Sequence, residues 1–314
     1  MKEDYSRAIM DLENLRSKPV RAPFGYYGAK QRIARQIVGE LPPHNAWVEA
    51  FCGSAALTLA KKPAPIEIIN DRDGEIVNFF EQLRNNSEAL CRAVALTPYA
   101  RAEFEMARSG TTYNIPLERA RRFLVSTMMT VNASIGEKGS GFSFSQSYTR
   151  DGKEARVSRW YNLPKRLENV VDRLRRIRIE NRDARELVQM FSDRPATLIY
   201  LDPPYYVKRD HGYLIDAKDR NFHVELLQLC AKAKCMILIS GYENDLYNEI
   251  LNTDKGWTTS RFYTHTRDTR GREYARIEVV WKNKQCTKAL TTGRVPIRLT
   301  MKEKTENKIN PPRK

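Results

Sequence analysis

Histidine and cysteine are scarce in this chain, at four and five residues in 314. The cysteines are odd in number and scattered, which excludes a disulfide framework and reads as reduced thiols in the cytoplasm. Cys230 and Cys235 have no second ligand pair nearby and the histidines are dispersed, so no metal site is expected. No run of about 18 apolar residues occurs, which excludes a membrane helix. The charged N-terminus carries no apolar signal core, so nothing suggests export. Internal repeats are absent. Acidic residues are in the minority: 38 Asp and Glu stand against 54 Lys and Arg, a net charge of +16. That charge favours a polyanionic partner through phosphate neutralisation and counterion release; generic basicity is the alternative. With 41% hydrophobic residues, the chain can bury the core of one large or two small domains.

What is present is an alternation of short apolar strands and amphipathic helices. Residues 46–51 read as a strand, Cys52-Gly53-Ser54-Ala55-Ala56 as a small-residue turn, and residues 57–61 as a helix. Residues 66–70 read as a second strand with Asp71 at its tip. An acidic residue about 20 positions beyond a glycine turn is the usual ribose-hydroxyl ligand of a nucleotide-binding βαβ unit, so a nucleoside-bearing cofactor is expected. The full dinucleotide glycine fingerprint is missing, which weighs against nicotinamide cofactors. Upstream, residues 23–30 bring glycines, aromatics and Lys30 to a helix entrance, where they can hold a small anionic ligand; a plain loop–helix junction is the alternative. This is no Walker A loop, because its glycine spacing and the hydroxyl residue after the lysine are missing.

Residues 196–201 form another apolar run, ended by Asp202-Pro203-Pro204-Tyr205. Neither proline can donate to a sheet ladder, so a carboxylate and an aromatic ring share the carboxyl end of a strand. This suits a flat nucleobase with an exocyclic amine. Asp202 can accept one amine hydrogen, the Pro203 carbonyl the other, and the Tyr205 ring can stack on the base. An ordinary strand-ending turn is the alternative.

Between these halves, residues 86–177 are mostly helical in pattern and surround a polar loop, 132–153. A loop of that length in a compact domain is expected to be functional. Arg122, Arg150, Lys153, Arg156 and Arg159 flank it, with Phe144, Trp160 and Tyr161 interleaved, which suits phosphate and base contacts; a solvated helical face is the alternative. Residues 1–22 read as a charged extension. Residues 283–314 read as a basic tail for which disorder is expected.

Taken in order, these pieces resemble the Dam-type, alpha-group DNA adenine methyltransferases. Phe24-Gly25-Tyr26-Tyr27-Gly28-Ala29-Lys30 is similar to the family's N-terminal cofactor motif. Residues 49–55 resemble its FxGxG turn, with Ala55 in place of the second glycine. Asn70-Asp71 is similar to its ribose-binding motif, Asn181-Arg182-Asp183 to the segment whose aspartate meets the cofactor adenine, and Asp202-Pro203-Pro204-Tyr205 to its catalytic motif. Residues 132–144, including Asn132 and Lys138, resemble its DNA-recognition loop region, and residues 276–281 its last strand.

The resemblance implies an α/β fold: a Rossmann-like, S-adenosylmethionine-dependent methyltransferase sheet with an inserted, mainly helical DNA-recognition domain. The catalytic part would comprise residues 23–85 and 178–282, and the insert 86–177. It implies transfer of a methyl group from S-adenosylmethionine to the N6 amine of an adenine flipped out of double-stranded DNA, by direct in-line attack that requires no cysteine. Tyr27 and Lys30 would hold the methionine end of the cofactor, with Phe51 packing against it and Gly53, Asp71 and Asp183 completing the site. The alternatives are cytosine-N4 methylation, RNA adenine methylation and a catalytically idle DNA-binding regulator. A monomer is the default, and a cognate restriction endonuclease is a candidate partner.

Overall fold

The apolar runs become strands because both of their faces are covered. The computed structural model describes residues 19–25, 30–110, 113–131, 141–144, 149–150, 152–206, 220–267 and 273–297. In chain order, α1 (Ala34–Gly39) leads to β1 (Ala46–Glu49), α2 (Ala56–Ala60) and β2 (Ile66–Asn70). Then come α3 (Gly74–Asn85), α4 (Ser87–Leu96), α5 (Arg101–Arg108) and α6 (Pro116–Met128). A short ribbon, β3 (Thr149–Arg150) and β4 (Lys153–Glu154), precedes α7 (Ala155–Tyr161) and α8 (Leu163–Leu174). The strand–helix alternation resumes with β5 (Ile177–Glu180), α9 (Ala184–Phe191), β6 (Thr197–Leu201), α10 (Arg220–Lys232), β7 (Met236–Gly241) and α11 (Asp245–Ile250). A hairpin, β8 (Thr258–Arg267) and β9 (Glu273–Lys282), is followed by α12 (Lys284–Thr292).

Seven of these strands form one sheet in the order β5-β2-β1-β6-β7-β9-β8. The first five are parallel, and β9 runs antiparallel to both β7 and β8. The chain winds outward from β1 through β2 to β5, then restarts at β6 and winds the other way. The switch point lies between β1 and β6, where an open parallel sheet leaves a ligand crevice at its carboxyl edge. The period-two alternation of the strands sets the two faces. Trp47, Leu198, Tyr200, Leu238 and Val280 pack with Ile33, Ile37 and Cys286. Val48, Ile68, Ile199 and Ile237 pack with Leu187, Val188, Leu226 and Leu227 of α9 and α10.

Residues 86–177 share a core with the sheet's edge. Phe79 and Phe80 of α3 cluster with Leu90 of α4, Leu124 of α6, Leu167 and Val170 of α8, and Ile177 of β5. Beside this core lies a buried ion triad. Glu67 of β2 accepts from Lys61 at 2.7 Å and from Arg173 of α8, whose guanidinium also donates to the Thr58 carbonyl at 3.1 Å.

The expected tail needs correction at its start, because residues 284–292 are helical. The Asn283 side chain caps that helix at Cys286 N (3.0 Å) and pairs with the backbone of β7, accepting from Ile237 N and donating to Cys235 O. Cys286 and Ala289, three apart on one helical face, are buried. Composition concealed this, since two small apolar residues on one face suffice for so short a helix. Residues 298–314 and 1–18 lie outside the described residues. No helix among the described residues is long and apolar enough to cross a membrane.

Candidate active site

The carboxyl ends of β1, β2, β5 and β6 gather the residues singled out by sequence, and one buried amide ties three of them. Asn70, 1% exposed, donates to the Ala50 carbonyl after β1 (2.9 Å) and the Arg182 carbonyl after β5 (3.1 Å), and accepts from Arg182 N (2.9 Å). Asp71 follows. Its carboxylate accepts Gly53 N–H at 2.9 Å and Asp73 N–H at 3.0 Å, so it braces the turn after β1 from the tip of β2. Each of its oxygens keeps acceptor capacity for a further donor, as two vicinal hydroxyls require. Burial pushes the Asp71 carboxyl up to about 6, against the N–H bonds from Asp73 and Gly53.

The turn itself is left-handed twice. Gly53 has φ 47°, and Ala55 has φ 53° and ψ 38°, alone among the described non-glycine residues in having positive φ. A β-carbon there costs on the order of 1 kcal/mol relative to glycine. The substitution at Ala55 therefore leaves the backbone path of a glycine turn in place, under strain. Phe51 packs edge-on against Phe222, with ring centroids 6.4 Å apart. Asp183 caps α9 at Arg185 N (2.9 Å) and pairs with the Arg185 guanidinium at 2.7 Å, which holds its pKa below the usual carboxylate value.

At the tip of β6, Asp202 is held from two sides. Ser240 of β7, the neighbouring strand, donates to Oδ1 at 2.9 Å and is bonded in turn to the Tyr200 hydroxyl at 2.7 Å. Lys30 Nζ donates to both carboxylate oxygens, at 2.7 and 2.8 Å. The same ammonium lies 3.4 Å from Glu278 of β9 and 4.8 Å from the centroid of the Tyr205 ring. The Tyr205 hydroxyl donates to Glu278, and Tyr242 meets its ring edge-on at 4.5 Å. Burial works against the Lys30 charge, but Asp202 and Glu278 outweigh it and hold the lysine above its ordinary pKa. Burial also raises Glu278 and lifts the Tyr205 phenol well out of its usual range. Pro203 is buried directly beyond Asp202, as the strand-ending turn requires.

Two features of this arrangement were not legible in the motif. Lys30, expected at the cofactor, stands on the Asp202 carboxylate. Glu278 and Ser240 join the site from strands on the far side of β6. The available signal for Glu278 was a carboxylate set between Ile277 and the apolar run Val279-Val280-Trp281, and burying such a charge requires partners.

The candidate DNA contacts fall into three groups. Tyr27, Asn132 and Lys138, the first of them a cofactor residue, lie outside the described residues, as does the Arg150 side chain. Arg122 is corrected: it is 8% exposed, bonded to Glu118 (2.7 Å) and the Met106 carbonyl (3.0 Å), and stacked on Tyr113, so its charge is committed inside the insert. Lys153 lies over the Tyr161 ring, and Arg156 and Arg159 belong to α7.

Residues 26–269 match the model of a family described as D12 class N6 adenine-specific DNA methyltransferase. Among solved structures, the chain is similar to a SAM dependent methyltransferase from Agrobacterium tumefaciens, at 10% identity and TM-score 0.33, with 81% of this chain and 60% of that chain covered. It is also similar to the rRNA methyltransferase aviRa from Streptomyces viridochromogenes, at 12% identity and TM-score 0.35, with 84% and 89% covered. The chain thus spans 60% of the length of the Agrobacterium protein. No curated protein matches it.

Proposed function

Since the chain belongs to the D12 class N6 adenine-specific DNA methyltransferases, matched over residues 26–269, we propose that it methylates the N6 amine of an adenine flipped out of duplex DNA. The observation that carries this reading is Asp202 at the switch point of the sheet, fixed by Ser240 and Lys30 with the Tyr205 ring beside it. S-adenosylmethionine is the methyl donor and supplies an electrophilic methyl group. Gly53 and Asp71 fit its nucleoside, because a close backbone turn and a carboxylate with spare acceptor capacity meet at one place. Phe51, Asp183 and Tyr27 complete that side of the site in this reading.

The adenine amine is a weak nucleophile, because its lone pair is delocalised into the ring. Asp202 accepts one amine hydrogen and the Pro203 carbonyl the other, which turns the lone pair toward the methyl group. Tyr205 stacks on the extrahelical base. To reach Asp202 the amine displaces Lys30, and Glu278, 3.4 Å from Nζ, is the carboxylate that takes the ammonium over. Two carboxylates against one ammonium leave the pocket net negative, which favours the positive charge developing on the amine nitrogen. Glu278→Gln therefore lowers kcat about 10- to 100-fold, the value of a buried charge-assisted contact, with cofactor affinity within about twofold of wild type. An unchanged kcat would remove Glu278 from this role.

The raised Asp71 pKa has a direct consequence. The folded carboxyl, at about 6, holds its proton over a window where the unfolded one, near 3.8, has lost it. Folding stability from this group is thus greatest at low pH and falls as pH rises through that window. Cofactor binding has the opposite sign, because the ionised form accepts the hydroxyls. S-adenosylmethionine affinity by calorimetry should weaken about tenfold from about pH 7 to about pH 5, and Asp71→Asn should be weaker throughout and flat.

Residues 86–177 are proposed as the target-recognition unit, with Lys153, Arg156 and Arg159, and Asn132, Lys138 and Arg150 of the adjoining loop, meeting the DNA. The test is incubation with labelled S-adenosylmethionine and duplexes of varied sequence, followed by digestion to nucleosides. N6-methyladenine is the expected product. N4-methylcytosine would redirect the reading to the cytosine reaction, and cofactor binding without any product would redirect it to an idle regulator.

A further inference from the structure

Several arginines of the insert face carboxylates. Arg119 pairs with Glu75, Arg121 with Glu103 and Glu118, and Arg173 with Glu67. Among the described residues, Arg159 and Arg166 do not. They project from α7 and α8, and the Nε of each is buried without a hydrogen-bond acceptor. Among the described residues, the Arg166 guanidinium donates only to the soft Met128 sulfur, at 3.9 Å from Nη2. Arg156 lies one turn before Arg159 on α7, and Arg21 approaches from the segment ahead of the first motif. Burial lowers the pKa of Arg159, and the like charges of Arg156 and Arg21 lower it further. Burial, then Arg159 and Arg21, push Arg166 down to about 10.

Arg159 and Arg166 oppose folding here, since their desolvation and the repulsion from neighbouring guanidinium groups act in the same direction. The arrangement is offset when an anion with several acceptor oxygens enters between them, because planar guanidinium forks match phosphate geometry. The walls are well fixed. Trp160 Nε1 donates to the Thr97 carbonyl at 2.8 Å and anchors α7, and Tyr99 donates its hydroxyl to the Ser143 carbonyl beside Arg159. The pocket therefore adjoins residues 141–144, the described end of the loop between α6 and the ribbon.

We propose that Arg21, Arg156, Arg159 and Arg166 form a phosphate pocket that takes one phosphodiester of the DNA backbone. The pocket rests on the reading of the chain as a DNA-modifying protein and adds a defined anchor outside the catalytic crevice. A phosphate held there sets the register of the duplex on the insert without reading sequence.

The experiment uses the full chain, duplex DNA and, separately, inorganic phosphate. Arg159→Gln/Arg166→Gln should weaken duplex binding about tenfold and make the dependence of log Kd on log salt shallower by about 1 for each phosphate no longer neutralised. Its thermal midpoint should equal or exceed that of wild type at low salt, because like-charge repulsion is relieved. Arg159→Gln alone serves if the double variant fails to fold. Inorganic phosphate should raise the midpoint of wild type and leave that of the variant unmoved. If phosphate stabilises wild type while duplex affinity and salt slope stay unchanged in the variants, the pocket takes a free anion and the DNA assignment is overturned. If neither readout moves, the pocket itself is overturned. Binding is measured without methyl transfer, so loss of the catalytic reading alone, with weakened duplex binding in the variants, leaves the pocket standing.

Discussion

Asp202→Asn is expected to lower the single-turnover rate of methyl transfer by about 10²- to 10³-fold or more, the range for removing one preorganised group aimed at developing charge. Duplex affinity should stay within about twofold of wild type, because the residues proposed to meet phosphate do not include Asp202 or its partners. The size of the effect follows from the site. The carboxylate is oriented by Ser240 at 2.9 Å and is free to accept an amine hydrogen once Lys30 leaves it. An asparagine keeps the shape and the Ser240 bond but removes the charge, and one of its two positions becomes a donor facing the amine's own hydrogens. The fold should tolerate the change, because Lys30 retains Glu278. Rapid-quench transfer and fluorescence anisotropy on the same duplex separate the two effects. A transfer rate within about threefold of wild type would falsify the assignment of Asp202.

The second large effect concerns stability. Glu67→Gln should destabilise the protein by about 3–5 kcal/mol, measured by urea denaturation, because removing one member of a buried ion network leaves its partners uncompensated. Glu67, Lys61 and Arg173 are 2%, 3% and 4% exposed. The carboxylate also accepts Ala64 N–H at 3.0 Å, and Arg173 links α8 of the insert to β2 of the sheet. The substitution strands two cations at the join between them, so the insert is expected to loosen first. Replacing all three by apolar residues of similar volume should be far milder, since no unpaired charge remains. A loss below about 1 kcal/mol for Glu67→Gln would mean that water reaches the triad.

Much of the architecture was legible from local pattern. Residues 46–51, 66–70 and 236–240 carry apolar side chains on both faces, which marks buried parallel strands, and helices alternate with them. The turn at Gly53, the acid at Asp71 and the turn at Asp202 each end a strand, so their place at one edge of the sheet followed once the strands were parallel. Other features depended on distance in space. Arg122 looks like its neighbours in sequence, yet Glu118 one turn earlier and the Met106 carbonyl enclose it. Cys286 and Ala289 bury a helix in a segment whose composition suggests a solvated tail.

Asp202-Pro203-Pro204-Tyr205 shows the division most plainly. The sequence by itself determined which chemical groups stand at the tip of β6, because two prolines end a strand wherever they occur. Tertiary structure decided what those groups touch. Lys30 comes from 172 residues upstream and Ser240 from 38 downstream, and Glu278 reaches Tyr205 across 73. Backbone propensity acts over a few residues and is readable in any window. Charge pairing acts over a few ångströms between groups that only the sheet order brings together.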